Sequence, residues 1–115
     1  MSVPKLEELV AIAQLKEFAD SASRVFGLTV SITNESGALL AGGAPQSLRD
    51  ARPRLGPPEE IRATTGDRYV VGAIELSSKA LGRLLLGPLD VPTPRARGVA
   101  DHLLVSLGLI LHAGE

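Results

Sequence analysis

Apolar residues near the start of the chain recur at Ala11, Leu15, Phe18, Ala22 and Val25, in steps of three and four through a stretch free of Gly and Pro. This spacing predicts a helix over residues 5–26 with one core-facing stripe. A second set, Leu6, Leu9, Ile12 and Ala13, widens the apolar arc beyond what one contact with a sheet needs. The surplus is expected to meet another helix. Gly27 ends the helix, and residues 28–33 then alternate apolar and hydroxyl side chains, which predicts a half-buried strand with Leu28, Val30 and Ile32 inward. Asn34-Glu35-Ser36-Gly37 is turn chemistry, so residues 38–41 should return antiparallel as a hairpin.

Residues 43–67 hold Pro45, Pro53, Pro57 and Pro58 and read as a long irregular connection, with a short helix expected over 57–63. Residues 68–76 and 80–86 are two further apolar, β-branched runs joined by Ser77-Ser78-Lys79, a second hairpin. Gly72 and Gly82 inside these strands point to close approach of backbone or helix. Pro92-Thr93-Pro94 supplies a hydroxyl N-cap at Thr93 for a last helix running to residue 112. It carries one stripe of Ala100, Leu104, Leu107 and Leu111 and another of Val99, Leu103 and Ile110. One stripe is expected on the sheet and the other on a second helix. The order helix, hairpin, connection, hairpin, helix is an α+β class: a small antiparallel sheet of about four to five strands flanked by the N-terminal and C-terminal helices.

Composition narrows the function. The 115 residues make one domain, and 12 basic against 13 acidic side chains leave no positive field for nucleic acid. With no cysteine, disulfides, thiolate metal sites and cysteine nucleophiles are excluded, and the cytoplasm is the default location. The apolar run from Leu103 to Leu111 is preceded by Arg97, Asp101 and His102 and is too short for a membrane span. Aromatic residues make up only 3% of the chain, so stacking platforms for bases are nearly missing.

The segment Val70-Val71-Gly72-Ala73-Ile74-Glu75-Leu76, with Leu81-Gly82 and Leu86-Gly87-Pro88 after it, resembles the late hairpin of GAF-type sensor domains. It is similar above all to PocR-like domains, a PAS/GAF-related sensory family. Gly27 to Gly37, a strand ending in an Asn-x-x-Gly turn, resembles that family's opening. The resemblance implies a sheet between helices, used as a sensor or dimerisation module in bacterial signalling proteins. Members commonly carry cysteines in the middle segment; this chain has none, so no cysteine or metal site is carried over.

Few groups offer chemistry. His102 and Ser106 share a helix face, but a Ser–His pair also needs an orienting group and an oxyanion site. His102 and His112 lie about 15 Å apart on one helix, too far to share a metal. No cofactor is expected, nor an enzyme. Arg49, Arg52, Arg54 and Arg62 are candidates to grip an anionic ligand in two-bond forks, with Tyr69 at the mouth of the second hairpin as a pocket cap. The surplus apolar helix faces point to a homodimer through Leu6, Leu9, Ala13, Leu104, Leu107 and Leu111. Two readings result: a dimeric, ligand-gated sensor whose small molecule sits under residues 43–67, or a ligand-free module of the same fold that recruits a signalling partner.

Overall fold

The Asn34 turn forms as its side chain dictates. Asn34 Oδ1 accepts hydrogen bonds from the backbone N–H of Ser36 and Ala38 and from the Ser36 hydroxyl, while Gly37 takes a φ of 89°. The turn joins β1 (Val30–Asn34) to β2 (Leu39–Ala41). The same asparagine donates from Nδ2 to Glu7 Oε2 at 2.9 Å, tying the hairpin to the first helical turn. The computed structural model describes residues 6–43, 56–63, 65–76 and 79–113, without the side chains of 112 and 113.

The remaining strands are β3 (Glu59–Arg62), β4 (Arg68–Leu76) and β5 (Lys79–Leu86). All five pair antiparallel in the order β2-β1-β5-β4-β3, so the expected α+β fold with a small antiparallel sheet is the one observed. Both predicted hairpins are present. The short helix expected over 57–63 is instead strand β3, whose residues pair one by one with β4 from Glu59 opposite Val71 to Arg62 opposite Arg68. A single isolated helical turn is marginal, and a neighbouring edge that satisfies the same backbone groups wins.

The predicted N-terminal helix is broken in two, α1 (Leu6–Leu9) and α2 (Ile12–Phe26), with Ala11 at φ −58° and ψ 141° between them. The cause lies in the two apolar sets. At 3.6 residues per turn an unbroken helix would turn Val10 about 140° and Leu6 about 180° away from Leu15, the start of the Leu15, Ala19, Ala22 stripe. All five are buried in one core, and the break at Ala11 is what lets them share it. Of the surplus face, Leu6 therefore folds inward and Leu9 is half-buried, while Ile12 and Ala13 stay exposed. Gly27 closes α2 in the left-handed region, φ 70°, and Ser23 Oγ accepts from the Val30 N–H to start β1.

The last helix, α3 (Thr93–Ala113), lies on the same face of the sheet as α2: α2 covers β1 and β2, and α3 covers β4 and β5. Its core side is Ala96, Ala100, Leu103, Leu107 and Leu111. A methyl group at Gly72 would lie 2.7 Å from Leu104 Cδ1, and one at Gly82 would overlap the Thr33 carbonyl oxygen. Close approach, of helix at one glycine and backbone at the other, accounts for both. The opposite face carries a second cluster of Ala63, Tyr69, Val71 and Leu85, flanked by Leu39 and Ile61. Ser31 and Thr33 on that side are buried too, so β1 is covered on both faces rather than half-buried.

Candidate functional site

Two surfaces are set apart by this fold. The first is the outer side of the helical layer. Most of α3's apolar residues enter the core, yet Val105 and Leu109, four apart, stand 66% and 68% exposed. On α2, Val25 is 73% and Ile12 43% exposed. Between the two helices runs an open groove of about 530 Å³ lined by Phe18, Ala22, Val25, Phe26, His102 and Leu103, with Gln14, Glu17 and Ser21 at its polar edge. His102 meets Phe26 edge-to-face with ring centroids 5.8 Å apart. Ser106 donates its hydroxyl to the His102 backbone carbonyl at 3.1 Å, so the hydroxyl is turned to its own helix and not to the imidazole.

The residues expected at a dimer interface divide by burial. Leu6, Leu107 and Leu111 are fully buried within the single chain and present no side-chain surface to a second one. Leu9 and Leu104 are half-buried against the core, and Ala13 is exposed. Periodicity grouped Leu104 with Leu107 and Leu111, but the buried face of α3 takes Leu103 with them instead and leaves Leu104 half-buried.

The second surface is the far face of the sheet. Arg83, 3% exposed, sits there beside Thr33, its register partner on β1, and Ala73, its partner on β4. Burial pulls the Arg83 guanidinium below its ordinary range, and the group is engaged within the chain. Thr33 Oγ1 is buried with no hydrogen-bond partner among the described residues. Ser31 Oγ accepts from the Gly43 N–H at 3.2 Å. Tyr69 lies on this face as well, and burial, followed by the charge of Asp67, raises its hydroxyl above the usual tyrosine value.

Of the residues expected to hold an anion, Arg49, Arg52 and Arg54 lie outside the described residues. Arg62 and Tyr69 do not converge. Tyr69 pairs with Ile61 and Arg62 with Arg68, so the pleat sends Arg62 to the helix side of β3 while Tyr69 faces the far cluster. Sequence reasoning missed Arg83. Its signal was available, a lone charge beside the apolar run Leu84-Leu85-Leu86, which marks a strand covered on both faces.

The start of α3 is anchored by a polar junction. Thr93 Oγ1 donates to Glu60 Oε1 at 2.6 Å and accepts from Arg68 Nη1 at 3.0 Å, and Arg68 Nη2 donates to the Val91 carbonyl. Thr93 is therefore not the N-cap expected of it. The first helical carbonyl is that of Pro92, which accepts from the Ala96 N–H. The Thr93 hydrogen bond, then Arg68 and the charge of Arg62, outweigh partial burial and hold the Glu60 carboxyl below its ordinary value. A lowered folded-state value makes this contribution complete above the unfolded glutamate value of about 4.3 and removes it as pH falls through the folded one. Urea midpoints measured from pH 7 down to pH 3 should thus fall on acidification. Thr93→Val should lower the neutral-pH midpoint and flatten its decline with acid; an unchanged acid slope would detach Thr93 from Glu60.

No protein-family model matches the chain, and no curated protein matches it. Among the described residues no group of His, Asp or Glu is placed to hold a metal ion, and no helix is long and apolar enough to cross a membrane.

Proposed function

We propose that this chain is a non-catalytic, cytoplasmic signalling domain of a bacterial regulator, GAF/PAS-related and PocR-like, that pairs with a second copy through the outer side of its helical layer. The observation that carries the reading is Val105 and Leu109, two large apolar side chains two-thirds exposed on a helix whose other side is already buried in the core. Exposed apolar surface of this kind, beside an apolar groove, is what association covers. The interface is thus assigned to α2 and α3 but to other residues of them than the buried leucines. A ligand-dependent shift of the sheet would reach the pair through α3, which is packed on β4 and β5.

For ligand binding, the far face of the sheet offers the Thr33 hydroxyl, which has no hydrogen-bond partner among the described residues and suits a small molecule bearing a carboxylate, phosphate or hydroxyl group. A second reading, a ligand-free module that recruits a protein partner, draws on the same face, where Leu85, Val71 and Ala73 are buried within the chain. Native mass spectrometry of the chain purified from its source cells separates the two. A dimer carrying an added small-molecule mass is expected for the sensor, and a bare dimer for the recruiting module. A bare monomer at all micromolar concentrations overturns the shared claim of self-association.

A further inference from the structure

Gly98 and Gly108 are two glycines inside α3, and around both the space is open: a methyl group built on either meets nothing within 4 Å. Glycine is the poorest helix former after proline, and none of the described residues requires it at either place. Gly98 belongs to a row that continues through His102, Val105 and Leu109, in steps of four, three and four, the spacing of a helix–helix seam. This row faces away from the core stripe of Ala96, Ala100, Leu103, Leu107 and Leu111. One end of the seam is a notch and the other a knob.

Building on the self-association argued above, we propose that α3 pairs antiparallel with α3 of a second copy, Leu109 of each chain seating in the notch at Gly98 of the other. In that register His102 faces Val105 across the axis, and both large exposed side chains are covered twice over by the two-fold symmetry. Charge selects the direction. α3 begins with exposed Arg95 and Arg97 and has no acidic residue of its own in its first turn. Antiparallel pairing sets Arg95 beside the last turn of the partner helix, where the dipole is negative; parallel pairing would bring four arginines together. Area is adequate as well. Twenty-one residues give α3 a length of about 31 Å, and with α2 beside it the outer surface is roughly 20 Å wide. That is on the order of the 800 Å² each partner contributes to a standard interface, and it takes in Val25.

The chain has no cysteine, which makes cross-linking a clean test. Gly98→Cys chains mixed with Leu109→Cys chains should form a disulfide-linked dimer under mild oxidation, and neither variant alone should do so. Both positions are open to solvent in the single chain, so each variant should keep the wild-type circular dichroism spectrum. Gly98→Leu, which fills the notch without touching the chain's own core, should weaken the dimer at least about tenfold. A Gly98→Cys chain that links to itself shows parallel pairing and overturns the inference while leaving self-association standing. A dimer that forms no α3 cross-link, or that Gly98→Leu leaves unweakened, places the interface elsewhere with the same consequence. A wild-type chain that stays monomeric removes the self-association reading itself.

Discussion

Replacing Val105 and Leu109 together by glutamate should turn the proposed dimer into a monomer that is still folded. Neither side chain contributes to the core, being two-thirds exposed, so the fold loses little by the exchange; surface substitutions of this kind usually stay within about 0.5 kcal/mol. In a symmetric pair each position occurs twice. Complete burial of a Val or Leu side chain is worth about 1.5–3 kcal/mol, and roughly two-thirds of each remains to be covered, so four together contribute about 4–8 kcal/mol. Each 1.4 kcal/mol is about a tenfold change in Kd, which puts the expected weakening at a thousandfold or more before the cost of facing four carboxylates is counted. Sedimentation velocity over a concentration series reads the mass, and circular dichroism reads the fold. A double variant that remains dimeric would move the interface off α3.

The hairpins were legible in the sequence because their signals are local. Asn34 and Gly37 specify a turn through bonds to atoms two and four residues away, and the apolar, β-branched run over residues 68–76 coincides with β4. What was not legible depended on partners distant in the chain. Glu59 to Arg62 reads as a helix start by proline placement and early carboxylates, and only the edge of β4 makes it a strand. The Ala11 break follows from two apolar stripes on opposite sides of one helix, a conflict visible in the pattern but resolvable in two ways, by a second helix or by a kink. The site was least legible. Periodicity says which α3 residues share a face, and it cannot say which face meets the sheet. Val105 and Leu109 fall outside both apolar stripes of α3, so periodicity gives them no role, and the burial of Arg83 depends on whether one or both faces of β5 are covered.

The exchange of roles along α3 leads to a second large effect, on stability instead of association. Leu107 is fully buried, and it belongs to the core between helices and sheet in which Leu6, Leu15, Ile74 and Leu84 also lie. Leu107→Ala should therefore cost about 2–5 kcal/mol, the lost transfer energy plus the cavity that a rigid helix over a sheet cannot close. Against a total of about 5–15 kcal/mol for a domain of this size, the variant stands near its unfolding threshold. Dimerisation would mask part of this loss by mass action, so urea unfolding is best compared in the Val105→Glu, Leu109→Glu background, where monomer is the only native species. Leu104→Ala should cost less, since Leu104 is only half-buried. If Leu107→Ala left the monomer's urea midpoint unchanged but dissociated the wild-type dimer, the assignment of faces would be reversed. The leucines would then be at the interface and the packing of α3 on β4 would have to be rebuilt.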